Sequence, residues 1–315
     1  AAPAAAIAPV AASGNTMTST NEMAGHHSSV RTGAGTDHSR ISGAIVVSYP
    51  IGAGVMHAGA DKHAGADKVV GVDTAAALID QNRLLGELTR AADPSTPVPT
   101  CPGWTLRQLV THVGRGHRWA ATIVRDKADA PIDPRTVADG KPPADAEGAL
   151  AWLHDSAAAV IDAVESTGAD VPVWTFTGPQ PASWWIRRRL HEETVHRADA
   201  AIAVGEPYAL DAGLAVDAVS EWFDLIGARP ADAAPLAPGT TLHLHATDEG
   251  VTGEWIVRGT DTGVAWEPGH CKGDAAVRGP VVDLMLATFR RAPADSVDVL
   301  GDTGVWTRWL ERTGF

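Results

Sequence analysis

Glu192 and His196 stand four residues apart in the segment Arg187-Arg188-Arg189-Leu190-His191-Glu192-Glu193-Thr194-Val195-His196-Arg197-Ala198-Asp199. On a helix that spacing puts both side chains on one face, one turn apart. A carboxylate oxygen and an imidazole nitrogen so placed are a workable pair of ligands for a divalent ion such as zinc. Asp199, three residues further on the same side, is positioned to accept a hydrogen bond from the His196 ring and orient it. The pattern is not His-Glu-x-x-His. His191 and His196 are five apart, about 140° round a helix, and cannot readily share an ion. Two ligands on one helix leave a site incomplete, so a third is expected from a facing helix. His112 is the best candidate, because it flanks the apolar stripe Leu106, Leu109, Val110 and Val113. His117, five residues on, should face elsewhere, and His154 is a weaker alternative. The same spacing also suits a solvated Glu–His pair beside a core-edge histidine, and spacing alone favours that reading over a metal site.

The elements that must position these groups follow from periodicity and punctuation. Asp73 is a plausible N-cap for a first helix carrying Leu78, Leu84, Leu85 and Leu88. The proline-rich stretch 93–103 reads as an extended connection. Thr105 can cap a second helix. A third is expected from about Ala146 to Ser166, a fourth from about Pro181 to Val204 and a fifth from about Asp211 to Ile226. After Pro238 the period changes. Leu242, Leu244 and Ala246 alternate with His243, His245 and Thr247, which predicts a half-buried strand. Three more strands are expected, around Trp255–Gly259, Gly263–Trp266 and Asp274–Arg278. Two helices, about Val281–Arg291 and Asp302–Thr313, close the chain. The class is therefore α+β, with a helical domain over 73–227, a break rich in Ala, Pro and Asp, and a small α/β domain over 240–315. Residues 1–72 are rich in Ala, Gly, Ser and Thr and contain a tandem His-Ala-Gly-Ala-Asp-Lys repeat from His57. Such a segment buries too little apolar surface to offset its ordering entropy and is expected to be a disordered tail. No basic residue precedes Arg31, so the charged start of a secretory signal is missing.

Composition narrows the function. The formal net charge of -13 disfavours a nucleic-acid partner. No apolar run is long enough to span a membrane. The two cysteines, Cys101 and Cys271, rule out a disulfide framework and a Cys-x-x-Cys metal site, and suit a cytoplasmic protein. Cys101 lies in a turn and reads first as a small half-buried residue. Trp104, Trp184 and Trp185 could wall a cleft, although core packing is the more ordinary role.

Two segments resemble one family. Pro99-Thr100-Cys101-Pro102-Gly103-Trp104-Thr105-Leu106-Arg107-Gln108-Leu109-Val110-Thr111-His112 is similar to the Gly-Trp turn and ligand-bearing helix of the mycothiol-dependent maleylpyruvate isomerase family. The element from Glu192 to His196, followed by Arg197 and Asp199, resembles that family's second metal motif. The resemblance covers about Asp73 to Phe315. It implies a DinB-like four-helix bundle followed by a sterol-carrier-like α/β domain, with His112, Glu192 and His196 as metal ligands. It also implies zinc or another divalent metal, mycothiol as cofactor or cosubstrate, and an actinobacterial setting, with which the Arg-over-Lys, Ala-rich composition is compatible. A functional arginine in the C-terminal domain is implied as well; Arg278 and Arg290 are candidates. The expected activity is thiolate chemistry on a small electrophile, either isomerisation or S-transfer. A non-catalytic metal-containing binder or sensor is the alternative. A metal-dependent hydrolase, with Glu193 as base, ranks below both.

Overall fold

The computed structural model describes residues 73–314. The expectations for the tail, residues 1–72, fall outside them. Four helices come first: α1 (Thr74–Arg90), α2 (Leu106–Arg125), α3 (Ala146–Thr167) and, after a two-residue hairpin of β1 (Pro172–Val173) and β2 (Gln180–Pro181), α4 (Trp184–Val204). Their starts follow side-chain chemistry. The Asp73 carboxylate accepts from the backbone N–H groups of Ala75 and Ala76. Thr105 and Gln108 form a reciprocal capping box at α2. Leu78, Leu85, Leu109, Val113, Leu153, Trp185 and Leu190 are fully or almost fully buried between these helices.

α4 is unusual among them. Its buried residues include Arg188, Arg189, His191, Glu193, His196, Arg197 and Asp199. Charged groups are rarely fully buried unless paired, so a central helix carrying this many must be built around polar networks.

α5 (Ala212–Gly227) leads into the C-terminal half. There β3 (Thr241–Ala246), β4 (Glu254–Thr260), β5 (Gly263–Pro268), β6 (Ala275–Gly279) and β7 (Asp298–Gly301) form one sheet in the order β5-β4-β3-β6-β7. All neighbours are antiparallel except β3 and β6. Strand alternation places Leu242, Leu244, Trp255, Val257, Ala275 and Val277 on one face. They pack into a single core with Trp222 and Phe223 of α5, Leu284 of α6 (Val281–Thr288), and Trp306 and Trp309 of α7 (Thr303–Arg312). The opposite face carries His243, His245, Glu254 and Arg278.

The α+β class expected from the sequence is the class observed. Three local differences have physical reasons. β7 escapes sequence reading because it is a four-residue edge strand with no buried residue. β1 and β2 are too short to show a period. The helix expected to reach Arg291 stops at Thr288, because Arg290 takes a left-handed φ of 59° and reverses the chain.

Candidate metal centre

His112, on α2, and Glu192 and His196, on α4, converge. The Nε2 of His112 lies 3.7 Å from Glu192 Oε2, and the Nε2 of His196 lies 3.6 Å from the same oxygen. The ligand-capable atoms of all three lie within 4.8 Å of one another. Four-coordinate zinc with bonds near 2.1 Å needs ligand atoms about 3.4 Å apart, so these separations suit an ion at their centre. The side chains of His196 and Glu192 are only 4% and 17% exposed, while His112 at 37% sits at the mouth.

The supporting shell is complete around His196. Its Nδ1 lies 2.8 Å from Asp199 Oδ2, which fixes Nδ1 as the protonated nitrogen and turns Nε2 towards Glu192. Asp199 is itself fully buried. It accepts from Thr100 Oγ1 at 2.5 Å, from Arg291 Nε and Nη2 at 2.9 and 3.1 Å, and from Cys101 Sγ at 3.4 Å. The turn that delivers Thr100 and Cys101 is closed by backbone bonds from Val98 N to Trp104 O, Cys101 N to Val98 O and Trp104 N to Cys101 O. Gly103 takes φ 82° there, which a side chain would strain. The turn also lays the Trp104 ring against both imidazoles, 4.9 Å from His112 and 6.2 Å from His196.

Electrostatics match this arrangement. Burial alone would push the Glu192 carboxyl up, but Arg188, the two imidazoles and Arg189 hold it well below the usual carboxylate range. Arg188 bridges Glu192 to Glu221 of α5. Although part of its side chain is exposed, desolvation by its neighbours pulls His112 below its ordinary value and favours the neutral ring that can ligate. Burial also opposes charge on His196, but Asp199, Cys101 and Glu192 outweigh it, and the ring is raised well above its ordinary value. It thus holds a proton that a cation would have to displace.

The other sequence candidates lie elsewhere. His117 is fully buried, with Nε2 2.5 Å from Glu193 Oε2, and it receives Arg189 Nε at 3.2 Å. Glu193 also accepts from Asn82, so it holds the bundle together and does not face the three ligand groups. His154 bonds Asn82, and His191 bonds Asp217. Trp185 is core and Trp184 packs at its edge; of the three tryptophans only Trp104 touches the histidines. Cys101 is more than a bland turn residue, since its sulfur faces Asp199. Arg278 lies on the outer face of the sheet, beside His245 in register. Arg290 makes the turn, and it is Arg291, which sequence reading passed over, that reaches the site.

Residues 75–201 match the mycothiol maleylpyruvate isomerase N-terminal domain, and residues 213–308 match the C-terminal domain of the same proteins. The chain belongs to this family. No curated protein gives a match. Two crystal structures of the mycothiol-dependent maleylpyruvate isomerase, one of them a histidine-to-alanine mutant, superpose with a TM-score of 0.51 at 15% identity, over 73% of this chain and 92% of theirs. That likeness establishes a shared fold: a helical bundle followed by an α/β unit. Among the described residues, no helix is long and apolar enough to cross a membrane.

Proposed function

We propose that this chain is a metal-dependent isomerase that uses mycothiol on a small, electron-poor alkene of the maleylpyruvate type. The observation that supports this reading best is the convergence of His112, Glu192 and His196, with Asp199 backing His196. The donor set fits a divalent ion of the zinc class. Three protein ligands leave one position open, and an ion held there would lower the pKa of an entering thiol so that thiolate is present at neutral pH.

The protein's own groups do the rest. Asp199 holds the Nδ1 proton of His196 and leaves Nε2 to ligate. Arg188 and Arg189 keep Glu192 ionised. Trp104 covers one side of the two rings and limits water there. Arg291 reaches Asp199 from beyond α6 and so ties the α/β half to the metal centre; its side chain is only 5% exposed. In the proposed reaction the mycothiol thiolate adds to one alkene carbon, the π electron pair moves onto the conjugated carbonyl as an enolate, and the former double bond becomes single. Rotation about that bond and expulsion of the thiolate give the trans alkene. Sulfur leaves as it entered, with no net oxidation.

The test is turnover of maleylpyruvate with and without mycothiol, for the wild type and Glu192→Gln. The proposal requires thiol-dependent formation of a sulfur-free trans product that is lost in the variant together with bound metal. A product that retains the thiol would favour S-transfer. Full activity in metal-free protein would overturn the proposal.

A further inference from the structure

A second group of ligand-type side chains lies on the outer face of the sheet, in the C-terminal half. His243 and His245 are two apart on β3 and therefore share a face. Glu254 of β4 stands directly opposite His245. β5 ends at Pro268, and Gly269 then takes φ 145° while its N–H bonds the Glu254 carbonyl at 3.1 Å. That turn brings His270 back over the same face. Glu254 Oε1 lies 2.7 Å from His245 Nδ1, 2.9 Å from His270 Nδ1 and 3.7 Å from His243 Nε2. The three imidazole rings are 5.0–6.0 Å apart between centroids. All four residues offer ligand atoms within 4.8 Å of one another.

From this geometry we infer that His243, His245, Glu254 and His270 form a second metal site, for a divalent transition ion of the zinc class. Two observations carry it beyond a chance cluster. His243 is 3% exposed, yet its Nε2 has no hydrogen-bond partner and points at the cluster. A buried polar atom left unpaired is costly, and ligation would remove that cost. The second is the donor set itself: three imidazoles and one carboxylate suit zinc and its neighbours, and not calcium or magnesium. Four protein ligands fill a tetrahedral shell, so the site is closed and structural. It clamps the turn after β5 to β3 and β4. Arg278 repels a cation here, and the Glu254 charge offsets it.

The test compares chelator-stripped full-length wild type with His245→Ala/His270→Ala. His270 is largely exposed, with a side-chain exposure of 71%, so the single variant His270→Ala serves if the double variant fails to fold. Both proteins are titrated with Zn2+ and analysed for retained metal and for the Zn2+-induced rise in melting temperature. The histidines of residues 1–72 and the bundle site are common to both, so only the difference counts. The inference requires the variant to lose one equivalent of tightly held zinc, with binding weakened roughly tenfold or more, and to lose part of the thermal gain. Equal stoichiometry and equal thermal gain in the two proteins would reduce the group to a hydrogen-bonded cluster and overturn the inference. That outcome leaves the bundle site untouched, because the variant retains His112, Glu192 and His196.

Discussion

Asp199→Asn is the substitution that best separates the ligand shell from its support. Asn keeps the shape of Asp199 but loses the charge and replaces one acceptor oxygen with an N–H donor. Five donor contacts converge on that carboxylate, from Thr100, Cys101, His196 and two nitrogens of Arg291. If the amide nitrogen takes the Oδ2 position, it faces His196 Nδ1 and forces the other tautomer, which protonates the nitrogen needed for the metal. If it takes the Oδ1 position, it faces Thr100 and Arg291 Nε. Removing the partner of a well-oriented ligating histidine weakens metal binding by about 10–100-fold. The Arg291 side chain is only 5% exposed and keeps its bond to the Phe289 carbonyl, so weakening its charged pair with residue 199 should cost about 1–3 kcal/mol. For a folded part of this size that predicts a melting temperature lower by roughly 2–12 °C. Competition against a chromophoric chelator measures the first effect and scanning calorimetry of the metal-free protein the second. An affinity unchanged within about threefold, despite the 10–100-fold expected, together with an unchanged melting temperature, would refute the role assigned to Asp199.

Three further outcomes are expected. Burial pushes the Tyr208 phenol up to about 12, against an ordinary value of 10.0, while its hydroxyl donates to the Thr194 carbonyl. A folded value above the unfolded one means that stability is intact below pH about 10 and is lost between about 10 and 12, by roughly 3 kcal/mol; denaturant melts should show a steeper loss over that range in wild type than in Tyr208→Phe. In Gly259→Ala the new methyl would sit 2.0 Å from the Ala237 carbonyl oxygen, where β4 bonds the connection before β3, so denaturation should report a loss of about 1–3 kcal/mol or aggregation. Trp104→Ala, which removes the ring packed against both histidines, should lower thiol-dependent turnover more than Trp104→Phe does, read as kcat/KM for the two variants.

The parts of the site that lie on one helix face were legible in the sequence. Glu192, His196 and Asp199 follow helical spacing and His112 sits beside an apolar stripe, which makes their convergence readable as one possibility, although the same spacing fits a solvated pair better. Parts set by tertiary placement were not. Arg291 reaches Asp199 only because Arg290 adopts a left-handed turn, and no local pattern announces that. Thr100 and Cys101 meet Asp199 across nearly a hundred residues of chain. The sequence predicts that His117 and Glu193 face away from His112, Glu192 and His196, and they do, but their complete burial in a polar network leaves no trace in periodicity. His243 and His245 were readable as the polar face of a strand; their convergence with Glu254 and His270 depends on sheet register and on the turn at Gly269. Helix and strand periods were visible wherever an element exceeds about five residues with a buried face, and β7 has none.

The proposed activity rests on an open, thiol-accepting metal site built from His112, Glu192 and His196. Cobalt-substituted protein carrying His245→Ala/His270→Ala tests it directly by electronic absorption. Visible d–d bands of a low-coordinate site are predicted, with a sulfur-to-cobalt charge-transfer band appearing on addition of mycothiol and both lost when His112 and His196 are also replaced by Ala. A spectrum indifferent to saturating mycothiol, or one that survives loss of both histidines, would contradict it.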